Sequence, residues 1–463
     1  MALKKGQIFE IDIDTVAFGG SGLGRLEGMA VFVDQALPGD RVRARILRKK
    51  KRHAEARMID LIVPSADRIE PPCPYVGWCG GCKWQALKYE RQLVYKRRHV
   101  EEALVHIAGI TGTPVYDTIA SEQTYQYRNK MEFSCADRRW LLPAEMVDGT
   151  IDTAFALGLH VPGTFHKVLD IEACLLQPDL GNDLLNAVRR YMRISGRPPY
   201  GLKSHVGFWR FLMLRHSVDR DQWLVNLVTS EEDRQAVQPL ADFLMEKYPQ
   251  VISVVNNITG RRASVAVGER EILLAGEPLL CEAIGELQFN VSANSFFQTN
   301  TRGAGVLYRI VGQMAELQGT ERVLDLYCGT GAISIFLARQ ARSVVGFEWT
   351  AAAVADAEIN CRLNGLNNCR FVAGDVLKQM PAWDQPVDVM VIDPPRVGMH
   401  HKVVKQVIDL APDRIVYISC NPATLARDLL ALETHYRVAE VQPVDMFPHT
   451  WHIEAVARLE RIV

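Results

Sequence analysis

The sequence predicts a multidomain α/β protein. It reads as a small N-terminal β-barrel over residues 1–62, a mixed α+β central domain over 63–290 with a cysteine cluster, and a C-terminal doubly wound sheet over 291–463. Three observations predict this. Short strand patterns split by Gly-rich turns fill the first sixty residues. A Pro/Gly-rich stretch carrying Cys73, Cys79 and Cys82 then breaks the pattern. From about 291 onward, apolar strand runs alternate with helical ones.

Composition fits a soluble globular chain. Hydrophobic residues make up 48% and charged residues 23% of the 463 positions, and the formal charge is −1. No overall field calls for nucleic acid, so local charge matters. No apolar run reaches the roughly 18 residues of a membrane span. MALKKGQIFEIDID has acidic residues where a secretory core would be apolar, so a cytoplasmic location is expected, without a membrane partner or an obligate protein partner.

In the first unit, QIFEIDIDTVAFGG, EGMAVFVDQALPGDRVRARI and EARMIDLIVP read as strands of a five-stranded barrel. Arg41 to Arg52 hold eight Lys/Arg and no acid. Such a run is either a solvated hairpin or one that faces phosphates, for which clustered positive charge suffices. Residues 85–108 read as a basic amphipathic helix containing Arg91, Lys96, Arg97 and Arg98. TAFALGLH, FWRFLMLRHS, WLVNLVTS and VISVVNNIT make the middle strand-rich.

Cys73-x5-Cys79-x2-Cys82 has metal-like spacing and needs a fourth ligand. Cys174 in VLDIEACLLQ is the best candidate and Cys135 in MEFSCADRR the rival. Four thiolates suit zinc and an iron–sulfur cube equally well.

ERVLDLYCGTGAISIFLA is an apolar strand, a turn at Gly329-Thr330-Gly331, then a helix. Such turns let a cofactor approach the backbone. Glu348 ends the next strand, nineteen residues after Gly329, where a carboxylate accepts ribose hydroxyls. Asp375 follows a third strand, within reach of an adenine amino group, and Asp393-Pro394-Pro395-Arg396 ends a fourth. The glycine spacing departs from the dinucleotide pattern, so an adenosyl sulfonium fits better.

Cys420 ends the next strand, in YISCNPATLARDL, and Asn421-Pro422 turns the chain into a helix whose start favours a thiolate. Packing alone is the bland alternative, since free cysteines are commonly buried and inert. Glu454 lies in an otherwise apolar final strand, where a carboxylate is costly unless used or paired. His449 and His452 accompany it. A thiol and a carboxylate at one sheet edge suit uracil chemistry. C5 of uracil is too poor a nucleophile for a methyl sulfonium until a thiolate adds at C6, and a base must later remove the C5 proton. Gln298 and Asn300 are candidate donors to the pyrimidine carbonyls, and Asp393 is a candidate to meet the base edge at N3. In folded RNA the base must be flipped out.

Taken together, FFQTN, DLYCGTG, DPPR, SCNPATLARD and PHTWHIE resemble the S-adenosylmethionine-dependent RNA 5-methyluridine methyltransferases. Residues 1–62 resemble the TRAM domain, a small OB-like RNA-binding barrel. The likeness is strong across 290–463 and thin in the middle. It implies a Rossmann-like methyltransferase domain, with Cys420 as nucleophile and Glu454 as base. It also implies cofactor contacts at Gln298, Tyr327, Gly329, Gly331, Glu348, Asp375 and Asp393. Ala332 departs from relatives that carry a polar residue there. The resemblance further implies a [4Fe-4S] cluster on Cys73, Cys79, Cys82 and Cys174, with zinc as the alternative and Cys135 left to the core. It places Arg128, Asn129 and Lys130 near RNA, and gives Phe165, His166 and Lys167 weaker claims. The implied substrate is 23S ribosomal RNA, with transfer RNA as the alternative. An amine methyltransferase would need no Cys420–Glu454 pair. A non-catalytic RNA-binding protein would need neither that pair nor an intact glycine loop.

Overall fold

A computed structural model describes residues 3–147, 150–262 and 266–462. The outermost residues of the first and last predicted units, Met1 and Val463, lie outside the described residues.

The N-terminal sheet has six strands, one more than the sequence suggests: β1 (Ile8–Asp12), β2 (Thr15–Val16), β3 (Gly22–Leu26), β4 (Met29–Asp34), β5 (Arg41–Lys49) and β6 (His53–Val63). Their order is β1-β5-β6-β4-β3-β2. The extra strand arises because QIFEIDIDTVAFGG is not one run. Ile13 donates its N–H to Asp40 O, and the chain turns at Gly19 and Gly20, both with positive φ. Alternating Val42, Ala44 and Ile46 fill the barrel with Val31, Val33, Ala54 and Ala56. At the base of the basic hairpin, Arg41 pairs with Glu10 and Arg43 with Asp60; Lys50 reaches Glu55.

Helix α1 (Tyr89–His106) follows the cysteine stretch. Its charge distribution differs from the sequence expectation. Lys96 is fully buried rather than part of a basic face, because its ammonium meets Asp445 at 2.6 Å. The apolar side of α1, Val100 and Leu104, enters a core of the C-terminal sheet.

The central sheet holds β7 (Lys130–Ala136), β8 (Ala156–His160), β9 (Val168–Asp170), β10 (Trp209–Ser217), β11 (Gln222–Thr229), β12 (Val251–Ile258) and β13 (Arg270–Gly276), in the order β13-β12-β11-β10-β7-β8-β9. Helices α2 (Asp179–Ile194) and α3 (Arg234–Lys247) cover its apolar face through Leu184, Leu185, Val237 and Leu240. Cys135 is fully buried in that core.

A hairpin of β14 (Leu280–Ile284) and β15 (Leu287–Val291) leads to α4 (Thr301–Ala315). Then come β16 (Arg322–Leu326), α5 (Ala332–Ala338), β17 (Ser343–Glu348), α6 (Ala351–Leu363), β18 (Cys369–Ala373), α7 (Val376–Gln379), β19 (Val389–Ile392), α8 (His401–Leu410), β20 (Arg414–Ser419), α9 (Pro422–Leu432), β21 (Tyr436–Val444) and β22 (Glu454–Arg461). The sheet order is β18-β17-β16-β19-β20-β22-β21. The first five strands are parallel, and β22 runs antiparallel between β20 and β21. One face carries the core of α4, α5, α6 and the hairpin; the other carries α7, α8, α9 and part of α1. Strand order reverses between β16 and β19. The crevice at their carboxyl ends is where open α/β sheets bind ligands. No helix among the described residues is long and apolar enough to cross a membrane.

Candidate active site

The crevice at the switch point is built from strand ends. Tyr327, with φ 66°, leaves β16 and leads into Gly329 (φ 55°) and Gly331 (φ 77°). Gly331 is obligatory on two counts. Its φ is left-handed, and a Cβ there would stand 2.8 Å from Ala357 Cβ and 2.9 Å from the Phe371 ring. Glu348, the last residue of β17, accepts from Gly329 N–H at 3.1 Å and Thr350 N–H at 2.8 Å. Asp375 caps α7 by accepting from Leu377 N–H. Beneath the loop, Asp325 is fully buried. Ser334 Oγ donates to its Oδ2, while its Oδ1 meets no partner among the described residues. Burial pushes Asp325 up to about 7, helped by the charges of Asp393 and Glu348. A buried, unpartnered acceptor below a glycine turn, with Glu348 beside it, suits a cationic adenosyl ligand.

The FFQTN segment closes one side of the crevice. Thr330 Oγ1 donates to Phe296 O at 3.1 Å. Asn300 is not available to a base: its Oδ1 caps α4 through Gly303 N–H and its Nδ2 donates to Met446 O. Both ends of its amide are consumed, the oxygen as the N-cap and the nitrogen by the Met446 carbonyl. Gln298 is half-buried and keeps its side chain uncommitted among the described hydrogen bonds. Asn129 clamps the segment instead. Its Nδ2 donates to Gln298 O and Thr301 Oγ1, both at 2.8 Å, and its N–H to Thr299 O. Arg128 and Lys130 are therefore not a solvated turn but walls of a cavity. Phe165 is well exposed, and Lys167 lies over the Trp140 ring at 3.8 Å.

Cys420 stands between β20 and α9, where Asn421 accepts from Ala423 N–H as the cap and Pro422 takes the first helical position. Asn421 Nδ2 also donates to Arg396 O, tying the turn to the DPPR segment. Burial pushes the Cys420 thiol up to about 11, the charges of Glu454 and Asp393 add to this, and a hydrogen bond and charge from Arg396 oppose it. Burial thus works against the help that a helix start gives a thiolate. Desolvation is the largest contribution, ahead of the Glu454 and Asp393 carboxyls.

Glu454 opens β22 and is buried beside the end of β20. Its carboxyl is held well above the usual range, first by burial and then by Asp393, with Arg396 opposing. Asp393 itself is raised to about 7 by burial. Arg396, inside the DPPR motif but not singled out by sequence, is the cation this group shares. It also meets His452 Nδ1 at 3.1 Å.

Cys73, Cys79, Cys82 and Cys174 line one cavity of 460 Å3, with Arg128, Lys130 and Thr299 on its wall. Among the described residues, no group of three or more His, Cys, Asp or Glu side chains is placed to hold a metal ion. Burial pushes Cys79 and Cys82 up to about 12. The four sulfurs thus share a chamber without closing on a centre.

Comparison with known proteins follows this geometry. A family model for tRNA (uracil-5-)-methyltransferase matches residues 231–462, and a TRAM domain model matches residues 2–59. A Chlorobaculum tepidum protein described as an uncharacterized RNA methyltransferase is 44% identical, over 99% of this chain and 97% of the relative. Another from Halalkalibacterium halodurans is 37% identical over 99% and 98%. The crystal structure of Pyrococcus abyssi tRNA (uracil-54, C5)-methyltransferase with S-adenosyl-L-homocysteine aligns with a TM-score of 0.75. It is 26% identical and covers 97% of this chain and 100% of its own. The chain belongs to the tRNA (uracil-5-)-methyltransferase family of RNA methyltransferases and carries a TRAM domain at its N-terminus.

Proposed function

We propose that this enzyme methylates C5 of a specific uridine in 23S ribosomal RNA, with Cys420 as nucleophile and Glu454 as general base. The observation that carries this reading is the meeting of Cys420, Glu454, Asp393 and Arg396 at one edge of the sheet. Bound S-adenosylmethionine supplies an electrophilic methyl group. Gln298, Tyr327, Gly329, Gly331, Glu348, Asp375 and Asp393 would hold it, and the buried Asp325 carboxyl suits its positive charge.

The chain's own residues do the rest. Cys420 Sγ gives its proton to water beside Arg396 and bonds to C6, and the C5–C6 π electrons move to form an enolate. C5 takes the methyl group and then carries both methyl and proton. Glu454 removes that proton. The C–H electrons re-form the C5–C6 double bond and expel the thiolate. A carboxylate raised by burial is a stronger base than one in water, which suits this carbon acid. Asp393 would meet the base edge at N3.

We assign residues 1–62, 63–290 and 291–463 as RNA-binding, central and methyltransferase units. The TRAM unit offers the basic hairpin to phosphates. Transfer RNA is the second reading, favoured by the likeness to the Pyrococcus abyssi enzyme. Mapping 5-methyluridine by mass spectrometry, in ribosomal and transfer RNA from cells with and without the gene, decides between them. Loss of one 23S position is expected. Loss confined to transfer RNA overturns the ribosomal assignment, and no loss in either overturns the methylation reading.

The shared chamber of Cys73, Cys79, Cys82 and Cys174 supports a [4Fe-4S] site, with thiol deprotonation accompanying assembly. Its role would be to order the 63–90 stretch. Anaerobically purified protein is expected to be brown and to hold about four iron atoms per chain. Cys82→Ser is expected to lose both colour and iron, and colourless protein with stoichiometric zinc would refute the cluster.

A further inference from the structure

Glu454 is delivered by the nine-residue connection 445–453 between β21 and β22. That connection has little regular structure of its own, and His449 within it holds a positive φ of 65°. Something else must fix it, and α1 does. Tyr89, Gln92 and Lys96 follow i, i+3, i+7 spacing and so share one helix face. Tyr89 OH donates to Asp445 Oδ2 at 2.9 Å. Lys96 Nζ donates to Asp445 Oδ1 at 2.6 Å and Phe447 O at 3.0 Å.

Gln92 is central to this grip. Its Oε1 accepts from His449 N–H at 2.8 Å, and its Nε2 donates to Trp84 O at 3.0 Å and Leu87 O at 2.8 Å. Trp84 N–H returns a bond to His449 O at 2.9 Å. Both backbone groups of His449 are thus held, the N–H by Gln92 of α1 and the carbonyl by Trp84, two residues after Cys82. The line continues toward the reacting edge. His452 N–H donates to Thr450 Oγ1, His452 Nδ1 meets Arg396 at 3.1 Å, and the Arg396 charge acts on Cys420.

Building on the reading of Glu454 as base, we propose that Gln92 is a positioning residue for proton removal: its buried amide fixes His449 and thereby the connection that aims Glu454. The amide is fully buried and its partner lies 357 residues away in sequence. Removing it leaves α1 docked through Val100 and Leu104, so the loss is local. Misaiming a base by about 1 Å costs on the order of 10²-fold.

The test uses full-length protein and an unmodified transcript that the wild type methylates, with methyl-labelled S-adenosylmethionine. Gln92→Met is expected to slow turnover about 10–100-fold. It is also expected to accumulate a denaturant-resistant, methyl-labelled protein–RNA complex, while the KM for S-adenosylmethionine stays within about twofold. A merely structural role would not build up that complex. Tyr89→Phe, which loses one hydroxyl, gives the same signature more weakly and carries the test if Gln92→Met does not fold. Slower turnover without the complex, or unchanged turnover, overturns the proposal. Glu454→Gln is the control: if it too fails to accumulate the complex, the assignment of the base has failed, not the positioning role.

Discussion

Cys420→Ala abolishes methyl transfer, by on the order of 10⁴-fold or more, and leaves S-adenosylmethionine binding within about twofold. Loss of a nucleophile removes the covalent route entirely, because C5 without the enolate cannot attack the sulfonium. The groups proposed to hold the cofactor, Glu348, Gly329 and Gly331, sit on β17 and the β16–α5 turn, away from the Cys420 turn, and the alanine leaves them in place. Single-turnover assays and calorimetric titration with S-adenosylmethionine check the two halves. Substantial activity in the variant would sink the covalent mechanism. The thiol also predicts a pH signature. With its pKa near 11, the thiolate fraction in the RNA-free protein rises with pH, about tenfold per unit through pH 7–9. Iodoacetamide modification of Cys420, followed by peptide mass spectrometry, should rise in step. Arg396 is the opposing cation, so Arg396→Met should slow modification at every pH in that range.

The proposed reacting edge is legible because its residues lie in contiguous motifs at strand ends. DLYCGTG, DPPR and SCNPATLARD each announce a strand, a turn and a side chain at the carboxyl edge of a parallel sheet, and that edge is where the topology places them. The sequence misled where one residue type serves two purposes. Asn300 is a donor by composition but a helix cap by position, and only the bond to Gly303 reveals which. Lys96 belongs to a basic run, yet its partner Asp445 lies 349 residues away, and no local pattern encodes so distant a pairing. Asn129 is expected near RNA with Arg128 and Lys130, whereas in the fold its amide holds Gln298 and Thr301. The two-residue strand Thr15–Val16 is too short to carry an alternation at all. Local chemistry is thus readable from sequence, and long-range polar clamps are not.

Glu454→Gln separates the two halves of the reaction. Glutamine keeps the size of the buried side chain at the start of β22 but cannot take a proton from carbon. Addition of Cys420 to C6 and methyl transfer need no base at C5, so both proceed. Elimination stops, because the thiolate leaves only when the C5–H electrons re-form the double bond. Turnover is expected to fall about 10²–10⁴-fold. One enzyme equivalent of methyl-labelled RNA should remain attached to protein through SDS electrophoresis. The carboxyl that this change removes is held well above its usual range by burial and Asp393, so it favours the neutral acid, and a neutral amide in its place leaves the charge beside Cys420 nearly unchanged. Adduct formation in the variant should therefore proceed at close to the wild-type rate at pH 7, even though release is slow. A variant that turns over normally would move the base elsewhere, with His452 the next group to replace. A variant that neither turns over nor forms the adduct would instead make Glu454 essential before proton removal, as a group that helps admit or orient the uracil.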